Sequence, residues 1–209
     1  MDTGIVDIPG SDDRFTVNFH RSSIETLVTY EPSKVVDWIN DIERLHRDSL
    51  PNKLIVGLDV EWRPSFSRHQ NPVATLQLCV GNRCLIVQLL YCSPIPDELS
   101  AFLANSSHTF VGVGIGEDLE KLIEDYDLAV ANGVELRTLA AEKANDRSLK
   151  NIGLKDMARI YLDAEVVKPK RVTMGRWDQE WLSEEQIRYA CIDAFVCYEV
   201  GKILCGAES

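Results

Sequence analysis

Apolar and polar positions along this chain follow two periods, and the switches between them mark its elements. Phe15, Val17 and Phe19 alternate with polar neighbours, as do Ile24, Thr26, Val28 and Tyr30. Both segments read as half-buried strands, with 20–23 as the hairpin turn between them. From 33 to 46 the period lengthens, placing Val35, Val36, Trp38, Ile39, Ile42 and Leu45 on one side of a helix. Residues 53–62 begin almost entirely apolar, the pattern of a central strand buried on both faces. Further strands are predicted at 73–80 and 84–89, joined by a tight turn at Gly81 and Asn82, then at 108–113 and 134–139. Helices are predicted at 96–104, 117–126 and 154–162. A basic loop of Lys168, Pro169, Lys170 and Arg171 follows. The last helix starts at Ser183, whose hydroxyl caps it, with Gln186 three residues on completing a capping box. It runs to Leu204. This order predicts an α/β fold, a mixed five- or six-stranded sheet flanked by helices. One domain is expected over 14–209, behind a loose segment 1–13 rich in Asp, Gly and Ser.

Composition narrows the function. The 209 residues carry a formal net charge of -11, unlike the basic face of a general duplex-DNA binder. Divalent ions held by some of the carboxylates would offset that charge where a phosphate approaches. Long, salt-driven binding is disfavoured, whereas gripping a few terminal nucleotides is not. No stretch reaches the ~18 apolar residues of a membrane span. The acidic start at Met1 and Asp2 does not resemble a secretion signal. A soluble, cytoplasmic protein is expected, with the nucleus as the other compartment, since Lys168 to Arg171 also resembles a weak nuclear-localisation signal. Cys79, Cys84, Cys92, Cys191, Cys197 and Cys205 have no C-x-x-C spacing and sit mostly in apolar runs, so they read as reduced core thiols.

Three acidic features stand out. Asp59 and Glu61 lie two apart at the end of an apolar strand, so both side chains leave the same face. Two adjacent carboxylates repel unless a cation joins them, and hard oxygens suit Mg²⁺ or Mn²⁺. Facing solvent at a strand end is the ordinary alternative. Asp118 falls in the first turn of a helix, where an acid also simply offsets the helix dipole. Tyr189 and Asp193 share a face of the last helix, and Asp193 sits among Ile192, Ala194, Phe195 and Val196, a poor place for an unpaired charge. Gly112, Gly114 and Gly116 suggest a dinucleotide loop, but Glu117 occupies the position that G-x-G-x-x-G reserves for a small residue. An acid facing a pyrophosphate excludes it.

Together, D-x-E, a later Asp after a strand-turn-helix, and Y-x-x-x-D on a C-terminal helix resemble the DEDD exonucleases of the Tyr-containing subgroup. The resemblance spans 33–205. The runs "VGLDVEW", "FVGVGIGEDLEKL" and "IRYACIDAFVCYEVG" are most similar to Werner-syndrome-type exonuclease domains. The short length without a helicase is similar to the plant RISC-interacting clearing 3′→5′ exoribonucleases. The resemblance implies a ribonuclease-H-like fold, with Asp59, Glu61, Asp118 and Asp193 holding two Mg²⁺ or Mn²⁺ ions and Tyr189 orienting the attacking water. It implies release of nucleoside 5′-monophosphates from single-stranded RNA, a homo-hexamer, and association with Argonaute in RISC. Single-stranded nucleic acid is thus the expected partner. A Werner-type DNA exonuclease, a non-catalytic binding module and a small-molecule phosphodiesterase are the competing classes. Weaker substrate-binding candidates are Trp62 and Phe66, which could stack on bases or pack, with Arg68 and His69 in the same loop. Lys168, Lys170, Arg171 and Arg176 form the dense basic stretch, either steering phosphate or forming a solvated loop.

Overall fold

The computed structural model describes residues 4–8, 10–46, 54–65, 67 and 69–206. Among them one mixed sheet of eight strands runs in the order β1-β2-β3-β6-β5-β4-β7-β8. The strands are β1 (Ile5–Asp7), β2 (Arg14–Phe19), β3 (Ser22–Thr29), β4 (Ile55–Glu61), β5 (Thr75–Val80), β6 (Arg83–Val87), β7 (Thr109–Gly112) and β8 (Gly133–Glu135). The strand number exceeds the expected five or six because the N-terminal hairpin does not stand apart. It joins the main sheet through a parallel β3–β6 pairing, Thr26 opposite Cys84 and Val28 opposite Ile86. Segment 1–13, expected to be loose, contributes β1, which lies antiparallel on β2 at the sheet edge.

The helices are α1 (Pro32–His46), α2 (Asp97–Leu103), α3 (Ile115–Tyr126), α4 (Leu136–Ala144), α5 (Leu154–Leu162), α6 (Lys170–Thr173) and α7 (Glu184–Gly206). Residues 134–139, read as a strand, divide instead. Only three residues extend β7's neighbour before Glu135 accepts a hydrogen bond from the Arg137 amide and caps α4. The loop at 168–171 likewise turns helical at Lys170. At α7 the capping box forms as read: the Ser183 hydroxyl accepts from the Gln186 amide at 3.3 Å, and the Gln186 side chain accepts from the Ser183 amide at 3.0 Å.

The sheet divides two apolar cores. On one face Val35, Trp38, Ile39 and Ile42 of α1 pack with Val56, Leu58 and Val60 of β4 and with α2 and α3. On the other lies α7, with α4 and α5 outside it. Strand alternation therefore aims Gly57, Asp59 and Glu61 at α7. The last helix is buried along most of its length, from Ile187 to Leu204, so it crosses the sheet as a core element rather than a surface one.

Gly57 sets how closely α7 approaches. A methyl group there would overlap the Ala194 carbonyl oxygen and lie 2.6 Å from the Tyr198 amide nitrogen. These are backbone atoms of a buried helix and cannot swing aside. Gly57→Ala is expected to cost about 3 kcal/mol or more, lowering Tm by roughly 6–12 °C. Gly116→Ala, in α3 with open space at its Cβ, is expected to leave Tm unchanged or slightly raised. Thermal unfolding of the two variants checks the contrast, and equal Tm values would refute the close-approach argument.

Candidate active site

Asp59 and Glu61 leave β4 toward α7, where Asp193 meets them. One carboxylate oxygen of each lies within 4.8 Å of the others. Asp193 is 2% exposed. Its Oδ1 and the Oδ2 of Asp59 are buried without a hydrogen-bond partner. Such orphaned acceptors are costly in a folded protein. Three carboxylates offering hard oxygen donors, two of them with a buried oxygen left unpartnered, fit a divalent cation of the Mg²⁺ or Mn²⁺ kind. Asp118 occupies the first turn of α3, which starts at Gly114 in the left-handed region at φ 79°. It stands outside the 4.8 Å group, yet its charge reaches Asp59 and Glu61 and raises both.

The electrostatics follow from this crowding. Burial, then the charges of Asp193, Glu61 and Asp118, lift the Asp59 carboxyl well above its ordinary 3.8. Burial and Asp193 do the same to Glu61. Asp118 is pushed up to about 7 by burial and by Glu117 and Glu135. Burial also raises Asp193, opposed by Lys168, whose ammonium donates to Asp193 Oδ2 at 2.5 Å. The Tyr189 phenol, held at the cluster by α7, is pushed far above the usual tyrosine range by burial and then by Asp193. In the metal-free cluster this holds the phenol in its protonated form.

The other sequence candidates scatter. Trp62 packs against the α1-side core, donates to Gln70 at 3.0 Å and lies under the Lys121 ammonium, 5.0 Å from its ring centre. Phe66 and Arg68 lie outside the described residues, and His69 has its amide on the Ser67 hydroxyl. The basic stretch splits: Arg171 pairs with Glu185, Arg176 lies 3.7 Å from Asp178, and Lys170 opens α6 at the surface. Of the four, Lys168 alone reaches the acidic cluster. Sequence reasoning passed over Trp177. It is 1% exposed and its ring centre lies 5.9 Å from that of Tyr189, limiting where the phenol can point. Its segment is pinned by the Arg63–Asp178 pair at 3.0 Å, and by Gln88 donating to the Glu180 carbonyl at 2.7 Å. An apolar aromatic between Arg176 and Asp178 was the available signal.

A family model described as 3′-5′ exonuclease matches residues 32–205. A 3′-5′ exonuclease of Arabidopsis thaliana is 36% identical over 151 residues, 71% of this chain and 52% of that protein. The chain thus spans about half the length of that relative. Among solved structures, the EXD2 exonuclease domain soaked in Mn is 28% identical, with a TM-score of 0.51 over 87% of this chain and 89% of that one. Escherichia coli RNase D, an exoribonuclease involved in structured RNA processing, has a TM-score of 0.72 at 18% identity, covering 87% of this chain and 44% of that one. That likeness is one of fold, and it makes this sheet ribonuclease-H-like.

The raised carboxyls predict an unusual pH dependence for the metal-free protein. For Asp118 the folded value of about 7 exceeds the ordinary aspartate value of 3.8. The folded chain therefore holds that proton more tightly than the unfolded chain, and stability falls as pH rises through the window between those values. Asp59 and Glu61 shift in the same direction. The lowered carboxyls, Asp13 and Glu135, lose their contribution only at more acidic pH. In EDTA, Tm is expected to drop by several degrees from about pH 5.5 to about pH 8. Asp118→Asn should shrink the drop, and saturating Mn²⁺ should abolish most of it. Scanning calorimetry at both pH values decides; a Tm that climbs over this range would contradict the clustering.

Proposed function

The chain belongs to the 3′-5′ exonuclease family, and from that premise we propose that it trims single-stranded nucleic acid, RNA in preference to DNA, from the 3′ end, releasing nucleoside 5′-monophosphates. The observation that carries the reading is the convergence of Asp59, Glu61 and Asp193 within 4.8 Å, with buried oxygens lacking partners. These three residues would hold a divalent ion, Mg²⁺ or Mn²⁺, and Asp118, whose charge acts on both Asp59 and Glu61, would help to hold a second. When bound, the ions supply Lewis-acid polarisation and offset charge at phosphorus and the leaving oxygen. Tyr189, kept protonated, donates a hydrogen bond that orients the attacking water. Trp177 fixes the aim of that phenol.

Support for RNA is the chain's resemblance to plant RNA-clearing exonucleases, while its net charge of -11 disfavours general binding of duplex DNA. By the same resemblance we expect a cytoplasmic homo-hexamer that associates with Argonaute-containing complexes. Sedimentation velocity tests the assembly, and a single monomeric boundary would refute it.

A time course on end-labelled single-stranded RNA and DNA, in Mg²⁺ or Mn²⁺ with and without EDTA, tests the activity. Stepwise shortening from the 3′ end, faster on RNA, is expected from the wild type, with none in EDTA. Asp59→Ala and Asp193→Asn should reduce kcat by roughly 10²–10³-fold or more. Tyr189→Phe should lower kcat by about 10²-fold with KM little changed, the mark of a group acting at the transition state. Activity that survives chelation would overturn the mechanism, and equal trimming of both polymers would remove the RNA preference.

A further inference from the structure

Lys168 stands where a cation is needed. Its ammonium donates to Asp193 Oδ2 at 2.5 Å and lies 5.2 Å from the centre of the Tyr189 ring. Asp193 is almost wholly enclosed, its side chain 3% exposed, whereas the Lys168 side chain is 32% exposed. The stem thus runs through partial solvent and only its charged end enters the cluster. Lys168 belongs to the connection between α5 and α6, not to a packed element. Withdrawing its ammonium requires rotation of a flexible four-carbon stem and leaves both cores intact. Asp193, carried on the buried α7, has no comparable freedom.

We infer that Lys168 is the internal counter-ion of the carboxylate cluster, competing with the divalent ion for Asp193 and returning to it when the ion departs. The inference rests on the exonuclease reading, because it assigns the cluster to a metal. The ammonium occupies one oxygen of the Asp193 carboxylate, Oδ2, and the other, Oδ1, is the buried oxygen left without a partner, so a divalent ion entering the cluster would share this one carboxylate with the ammonium. Two cations held a few ångströms apart in a poorly hydrated site repel strongly. Metal entry must therefore displace the ammonium or be weakened by it, and whatever favours one cation disfavours the other by the same factor. Without either, a buried carboxylate beside Asp59 and Glu61 would stand uncompensated, among the costliest arrangements in a protein interior.

Mn²⁺ titration by calorimetry on the full chain, at fixed pH and ionic strength, tests this, with thermal unfolding of the same samples. The panel is wild type, Lys168→Met, Lys168→Gln and Lys170→Met, the last removing a neighbouring positive charge that does not touch the cluster. Both Lys168 variants should bind Mn²⁺ about tenfold more tightly than wild type, the equivalent of roughly 1.4 kcal/mol. Lys170→Met should change affinity by no more than about twofold, since its charge is exposed and screened. The Lys168 variants should also melt earlier in EDTA and gain more Tm from saturating Mn²⁺ than wild type does. Lys168→Gln keeps a donor for Asp193 and so covers a loss of folding in Lys168→Met. Unchanged or weaker Mn²⁺ binding in the Lys168 variants, or a tightening no greater than that of Lys170→Met, overturns the counter-ion role alone. Failure of the wild type to bind Mn²⁺ overturns the exonuclease reading as well.

Discussion

The close approach of α7 to β4 is the constraint from which the rest of this molecule follows. It exists because Gly57 presents no side chain to the Ala194 carbonyl and the Tyr198 amide. Gly57, Asp59 and Glu61 occupy one face of β4, and Asp193 immediately precedes Ala194. The contact that seats the helix is therefore also the contact that brings Asp193 against the two strand carboxylates. Gly201 repeats the arrangement farther along, where a methyl would lie 2.6 Å from a Val111 methyl of β7. A helix standing even one side chain farther from the sheet would leave Asp193 unable to share an ion with Asp59. Packing density and site geometry are here one quantity.

That geometry works against stability. Burial and mutual repulsion raise Asp59, Glu61 and Asp118 together, so the cluster disfavours its own charged form. The apolar surface on both sides of the sheet supplies the compensation. Val56, Leu58 and Val60 are buried on one face of the strand that bears the two acids on the other. The glycine contact and α7's buried length hold the opposite side. A local arrangement that breaks the rule of consistency, embedded in elements that obey it, is the usual signature of a functional site. The free cysteines fit the same division: Cys79, Cys84, Cys191 and Cys197 are fully enclosed, burial holds their thiols protonated, and they act as packing groups.

Much of this was legible in the chain because it is encoded locally. The apolar run before Asp59 announced a central strand, period two put Glu61 on the same face, and the four-residue spacing of Tyr189 and Asp193 put both on one side of α7. The cap at Ser183 and Gln186 and the amphipathic faces of α1 and α5 are likewise short-range facts. What periodicity could not encode is which strand neighbours which. The parallel β3–β6 pairing joins residues some 60 positions apart, so the sheet is wider than the chain order suggests. The helix at Leu136 was hidden because β-branched Val134 beside apolar residues reads alike in strand and helix, and a side-chain cap from Glu135 decided it. Lys168 looked like one of several basic loop residues. Its distinct place depends on where α5 ends relative to α7, a tertiary fact with no sequence period. Asp118 was read as part of the cluster, and the structure sets it beyond the 4.8 Å group while keeping it electrostatically coupled.

The net acidity of the chain, at first a reason to doubt a nucleic-acid substrate, is better understood by location. The carboxylates that matter are withdrawn into the fold: Asp193 is buried and paired with Lys168, and burial pushes Asp59, Glu61 and Asp118 toward their neutral form, so they contribute little field to the approach path of a phosphate. Others lie wholly or partly at the surface and are locally neutralised: Glu25 by Arg14, Asp41 by Arg44, Glu185 by Arg171 and Glu199 by Lys202. Such pairs stabilise little but do flatten the surface potential. A chain of net charge -11 is poorly suited to holding a long polyanion by counter-ion release. On the proposed reading it would instead grip a terminus through a divalent ion, whose charge would be concentrated at one point inside a recess where Coulomb attraction is strong. Affinity then resides at the strand end, and each released nucleotide presents a new end to the same point. Removal from an end, rather than cleavage within the polymer, is the mode of attack that such a charge distribution favours.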